Sequence, residues 1–274
     1  MLALIHPKKA AREAFYLFCY PLRTPLSDYQ LNFLTEAKHE TFQVGKDTIQ
    51  AYRWGNGERK VLLLHGWRSH AFRWKRYIEA LAEHHTVYAL DAPGHGLSSG
   101  KYLNLPYYSE VIEHYISKLG GVDTVVGHSL GGFASLYTLY RSPSVAVKKL
   151  VVMGAPGRAD DFVGFFRSLL GLSDRTIELM LGYFEKKFNK GPEYFSSSAF
   201  AEALSLPGLI IHDVEDVEAP VQHAHALSKV WKEAELVITH GLGHNLKSDD
   251  VVNRVASFAY GMERVTPFEL HRAE

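Results

Sequence analysis

The sequence predicts an α/β fold, a mostly parallel twisted sheet covered by helices on both faces. Three observations predict it. Short, largely apolar runs recur along the chain: Val61–Leu64, Thr86–Leu90, Val122–Val126, Leu150–Met153, Leu209–Ile211 and Glu235–Ile238. Continuous apolar runs of this length suit strands buried on both faces. Stretches with helical spacing separate them, and that alternation builds a parallel sheet. Several runs also end in glycine-rich turns: His65-Gly66-Trp67, Asp91 to Gly96, Gly127 to Gly132 and Gly154-Ala155-Pro156. In such sheets ligands bind beyond the carboxyl ends of the strands, so the turns gather where a site belongs.

The totals narrow the function classes. The 274 residues are 46% hydrophobic and 22% charged, a composition that supports a large core. Lys plus Arg and Asp plus Glu are both 30, so the chain lacks the basic excess of a nucleic-acid binder. The single cysteine, Cys19, permits no internal disulfide and no thiolate metal cluster. The histidines are scattered. His223 and His225 are two apart, on different faces of a helix, so no metal site or cofactor is expected. No apolar run is long enough for a membrane span. Lys8, Lys9 and Arg12 follow the apolar Met1–Ile5 rather than precede an apolar core. A cytoplasmic protein without membrane contact is the expectation, and the oligomeric state is left open.

The elements follow in order. Pro7 to Tyr20 has helical spacing, with Ala11, Phe15, Phe18 and Leu22 near one face, and Pro21 and Pro25 end it. Its basic residues allow a membrane-surface anchor. Packing on the body is the simpler use of an apolar face. Glu40–Val44 and Thr48–Trp54 form a hairpin around Gly45-Lys46-Asp47. Helices are expected over Ser69–Ala82, Leu105–Leu119, Ser135–Arg141, Pro220–Lys232 and Ser248–Tyr260.

One segment breaks the alternation. Between Met153 and Leu209 there is no convincing strand, over a span beyond an ordinary connection. Asp160–Leu170 and Asp174–Phe188 read as helices dense in bulky apolar residues, including Phe162, Phe165, Phe166, Leu169, Tyr183 and Phe184. The expected organisation is an N-terminal helical segment (1–26), a core (27–155 and 207–274) and an inserted helical cap (156–206). The cap's rings suit either packing of their own or the lining of an apolar pocket.

Gly127-His128-Ser129-Leu130-Gly131 is a G-x-S-x-G match placed where a strand turns into a helix. A serine in so tight a turn needs neighbours without side chains, because strand and helix approach closely. The helix N-terminus behind it favours developing negative charge. The plain alternative is an ordinary capping serine.

On His65-Gly66-Trp67, Asp91 to Ser98, Gly127 to Gly132, His212 to Pro220 and Gly243-His244, the chain resembles the α/β-hydrolase family from about Glu40 to Gly261. The resemblance implies the order nucleophile, acid, histidine. Ser129 is then the nucleophile. His244, in the Gly241-Leu242-Gly243-His244 loop, is the base, with His240 the nearest rival. The family places its aspartate four residues before the proline that opens the next helix, which is Asp216, with Glu215 a minority candidate. This chain has Asp213 where the family usually has glycine. The oxyanion hole falls to the backbone N–H groups of Leu130 and Trp67. His65 and His128 read as packing residues, and Asp91 to Ser98 as a structural loop.

The resemblance implies a serine esterase acting on a small-molecule carboxylic ester with a hydrophobic acyl or alcohol part. Serine at the nucleophile position argues against epoxide hydrolase and haloalkane dehalogenase chemistry. Thioesterase, carbon–carbon hydrolase, acyltransferase and cofactor-free peroxidase chemistry share the triad, and a ligand-binding receptor on the same fold is a further alternative.

Overall fold

The computed structural model describes residues 6–261, apart from the side chains of Phe165 and Leu169. The reading of Met1–Ile5 and the end of the expected core beyond Gly261 lie outside the described residues. The described residues open with α1 (Pro7–Phe18) and α2 (Asp28–Thr35), then the hairpin β1 (Lys38–Val44) and β2 (Asp47–Trp54). There follow β3 (Arg59–Leu64), α3 (Lys75–Leu81), β4 (His85–Leu90), α4 (Leu105–Lys118), β5 (Val122–His128) and α5 (Leu130–Arg141). After β6 (Val147–Met153) come α6 (Ala159–Leu170), α7 (Asp174–Phe188) and the short α8 (Ser197–Ala201). The described residues close with β7 (Gly208–Asp213), α9 (Gln222–Val230), β8 (Ala234–Thr239) and α10 (Asp249–Tyr260).

The 8-stranded sheet has the order β1-β2-β4-β3-β5-β6-β7-β8. The hairpin is antiparallel, and β2 runs antiparallel to β4; every neighbouring pair from β4 to β8 is parallel. The apolar runs are buried on both faces, as in β3, where Val61 to Leu64 are fully enclosed. One face packs on α4, α5 and α9, the other on α3 and α10.

Three details differ from expectation. Leu22 does not join the apolar face of α1: it lies past the helix end, at φ 48° and 60% exposed, because Pro21 has already turned the chain. Helix α2 was unexpected, although Ser27 and Gln30 form a capping box at its start. The helix after β5 begins at Leu130, directly behind Ser129, rather than at Ser135.

The inserted helices α6 and α7 are tied to the rest by aromatic contacts. Phe162 stacks near Phe133 of α5, and Phe195 meets Tyr137. Phe15 of α1 sits among Tyr183, Phe184 and Phe188 of α7. The apolar face of α1 is therefore covered by α7, and Ala10, Ala11, Ala14 and Phe15 are buried. Among the described residues no helix is long and apolar enough to cross a membrane.

Candidate active site

Ser129 occupies the turn between β5 and α5 with φ 52° and ψ −121°, a conformation a non-glycine residue adopts at a cost. The surroundings enforce it. A Cβ on Gly131 would run into the Leu64 carbonyl, so α5 can start against the end of β3 only with glycine there. The Ser129 N–H is held by the Met153 carbonyl at 2.8 Å. The hydroxyl is left facing His244, whose Nε2 lies 3.0 Å from Oγ.

His244 sits after β8. Its Nδ1 lies 2.8 Å from Asp216 Oδ2. Asp216 Oδ1 accepts the N–H groups of Glu218 (2.9 Å) and Ala219 (2.8 Å). His212 Nε2 donates to the Ala219 carbonyl at 2.6 Å and stands 3.3 Å from Asp216 Oδ2. Burial works against ionisation of Asp216. The contacts from His212 and His244 and the Ala219 N–H outweigh it, so the carboxyl group titrates well below the usual range. A carboxylate so held binds the Nδ1 proton of His244 and leaves Nε2 free to accept one.

The backbone of His244 is fixed as well. His128 Nε2 donates to the His244 carbonyl at 2.8 Å, and Arg73 donates to the Asn245 carbonyl at 2.9 Å. Burial pushes the pKa of His128 well below that of a free imidazole, so the ring is neutral. The next residue but one, Leu246, is fully buried at φ 51°.

The backbone of Gly66 presses against the serine. A Cβ there would stand 2.8 Å from Ser129 Cβ and 3.3 Å from Oγ. Trp67 comes next in the chain, and Leu130 is the first residue of α5. Neither backbone N–H donates to another backbone group among the described residues.

The structure thus brings Ser129, Asp216 and His244 together, with Trp67 and Leu130 beside the serine. It leaves out the rivals. His240 and Glu215 are exposed, and neither makes the contacts of His244 or Asp216. Asp213 instead accepts from the Thr239 hydroxyl and the Leu242 N–H, pinning the loop that leads to His244. Asp91 accepts from the Tyr52 hydroxyl and the Ala71 and Leu97 N–H groups, a structural use. Sequence reading missed His212 and Arg73: His212 meets Asp216, four residues on, only because the loop after β7 folds back, and Arg73 reaches Asn245 from far earlier in the chain. Among the described residues no group of three or more His, Cys, Asp or Glu side chains could hold a metal.

The model of the alpha/beta hydrolase family matches residues 61–239. A pimeloyl-[acyl-carrier protein] methyl ester esterase from Sodalis glossinidius is 30% identical over 138 residues, 47% of this chain and 53% of that protein. The match thus spans about half the length of that relative. A serine hydrolase structure from Cycloclasticus zankles is similar with a TM-score of 0.64 at 22% identity, covering 83% of this chain and 99% of that one. The meta-cleavage product hydrolase of Pseudomonas fluorescens IP01 is similar with a TM-score of 0.62 at 21% identity, covering 84% of this chain and 100% of that one. At these identities the structural likeness speaks for the fold.

Proposed function

The chain belongs to the alpha/beta hydrolase family, and from that premise we propose that it is a serine hydrolase cleaving carboxylic esters. One observation carries the reading: the continuous path from Asp216 Oδ2 through both nitrogens of His244 to Ser129 Oγ, with steps of 2.8 and 3.0 Å. His244 takes the hydroxyl proton as Ser129 attacks the ester carbonyl, and Asp216 stabilises the imidazolium. The oxyanion of the tetrahedral intermediate faces the N–H groups of Leu130 and Trp67. His244 returns the proton to the alkoxide as it leaves, and an acyl group stays on Ser129. Water, deprotonated by the same imidazole, then releases the acid.

The segment 156–206 acts as a cap over this site, and its aromatic density supports a substrate with a hydrophobic acyl or alcohol part. The described part of the N-terminal segment packs on the body through α1, and 27–155 with the described part of 207–274 forms the hydrolase core. The relative named as a methyl ester esterase supports ester chemistry.

The test is fluorophosphonate labelling of wild type and Ser129→Ala, beside hydrolysis of p-nitrophenyl acetate, butyrate and octanoate. The expected result is labelling only with Ser129 present, and a fall in kcat of at least about 10,000-fold in the variant. Absence of labelling and turnover in the wild type would overturn the reading.

A further inference from the structure

The loop carrying the Trp67 N–H is pinned by groups that the reaction scheme does not use. His65 lies at its start. Its Nδ1–H donates to the Gly66 carbonyl at 2.7 Å, and its Nε2 accepts the Ala92 N–H at 3.0 Å. The Gly66 carbonyl and the Trp67 N–H share one planar peptide, so orienting the first orients the second. His95 holds the other end. Its Nδ1–H donates to the Pro93 carbonyl at 3.0 Å, and its Nε2 accepts the Arg68 N–H at 3.1 Å. Its ring also meets the Trp67 indole edge to face at 5.7 Å between centroids.

The partners dictate the state of both rings. A carbonyl can only accept and an N–H can only donate, so each imidazole is neutral with its proton on Nδ1. Both rings are fully buried, and burial pushes each down to about 3. A third group closes the loop from outside. Thr24, between α1 and α2, donates its hydroxyl to the Arg68 carbonyl at 2.7 Å. Its neighbour Arg23 donates to the carbonyls of Gly96 and Ser98, both at 2.6 Å. Arg68 itself is held at φ 54°. Such backbone persists only where the surroundings over-determine it.

We propose that His95, backed by Thr24 of the N-terminal segment, is a positioning residue that fixes the Trp67 peptide at the oxyanion site. It touches no reacting atom. It acts by holding the Arg68 N–H, so that the peptide one step earlier presents its N–H to charge that exists only in the transition state. This rests on the reading of Trp67 as an oxyanion donor. Loss of His95 should therefore leave ground-state binding alone and weaken whatever forms an oxyanion on Ser129.

The experiment compares wild type, His95→Phe, His95→Gln and Thr24→Val. Each is assayed with p-nitrophenyl butyrate and inhibited with a short alkyl trifluoromethyl ketone or the matching methyl ketone. The fluorinated ketone adds to the serine as an oxyanion; the methyl ketone binds without adding. His95→Phe should lower kcat roughly 10- to 100-fold with KM within about twofold, short of losing a donor outright. It should weaken the fluorinated ketone in parallel and leave the methyl ketone unchanged. His95→Gln, whose amide oxygen can accept the Arg68 N–H, should recover to within about fivefold of wild type. Thr24→Val should lose about two- to fivefold in kcat, with the same inhibitor pattern. The proposal is overturned if kcat is unchanged in His95→Phe, if both ketones weaken equally, or if glutamine rescues nothing. Should His95→Phe fail to fold, the glutamine and Thr24 variants decide, and wild-type values of kcat and ketone affinity in Thr24→Val would sink it. A wild type without Ser129-dependent turnover refutes the ester reading itself, a separate outcome.

Discussion

Two buried aspartates lie at the carboxyl edge of the same sheet, and their surroundings send them in opposite directions. Asp91 follows β4; Asp216 follows β7. Asp91 is sealed, and its partners are the Tyr52 hydroxyl and the N–H groups of Ala71 and Leu97. Burial dominates there and pushes its pKa up, against the hydrogen bonds from Leu97, Ala71 and Tyr52. Asp216 also meets a burial penalty, but two imidazoles and a backbone N–H overcome it and pull its pKa down. Asp91 ties three chain segments together, and among the described residues no imidazole nitrogen hydrogen-bonds to its oxygens. Asp216 spends Oδ1 on backbone and keeps Oδ2 for His244 and His212. The difference teaches that a carboxylate's role follows from which groups its oxygens serve, since position at a strand end is common to both.

Conservative substitution should separate the two. Asp216→Asn keeps an oxygen for the Glu218 and Ala219 N–H groups and turns an amide N–H toward His244 Nδ1. The imidazole must then adopt the other tautomer, with its proton facing Ser129. On the proposed mechanism kcat should fall about 1,000- to 10,000-fold while the melting temperature changes little. Asp91→Asn should do the reverse. One amide oxygen cannot serve donors that use both carboxylate oxygens, so a buried donor loses its partner at about 1–3 kcal/mol. The melting temperature should drop by several degrees, with kcat per fluorophosphonate-titrated site within about tenfold of wild type. Scanning calorimetry beside active-site titration reads both. The contrast breaks if Asp91→Asn abolishes turnover at an unchanged melting temperature.

The same contrast explains what was legible beforehand. Strands such as Val61–Leu64 and the turn at Ser129 announce themselves locally, through apolar runs and through glycines that relieve close approach. Asp216 could be chosen over Glu215 because the family pattern sets its aspartate four residues before the helix-opening proline, and His244 over His240 because it matches the Gly243-His244 motif. The supports are another matter. His212 reaches Asp216 because the loop after β7 folds back to its own strand. Arg73 reaches Asn245 from a turn far earlier in the chain, and Thr24 reaches Arg68 across the junction of two helices. The last two contacts depend on tertiary placement, and nothing in the local residues signals them. Helix α2 is a different kind of miss, because its capping box was visible at Ser27 and Gln30.

A further effect concerns the sealed region in acid. His65 and His95 titrate near 3 in the folded protein, against about 6.5 for an unperturbed imidazole in the unfolded chain. Between those values the unfolded state binds protons that the folded state refuses. Stability therefore rises with pH across this window, and it is lost as pH falls from about 6.5 toward 3. At pH 5 each ring should cost on the order of 2 kcal/mol relative to neutral pH. Burial also lowers His70, His85 and His128, which adds to the slope in the same direction. Urea unfolding at pH 7, 6 and 5 should show a midpoint that falls steadily. His95→Gln removes one titrating ring without removing the acceptor for Arg68. Its pH slope should be shallower by one proton, about 1.4 kcal/mol per pH unit at the acid end of the window. An unaltered slope in that variant would mean that His95 takes up its proton in the folded state, and the sealed region would then be more open to water than its hydrogen bonds imply.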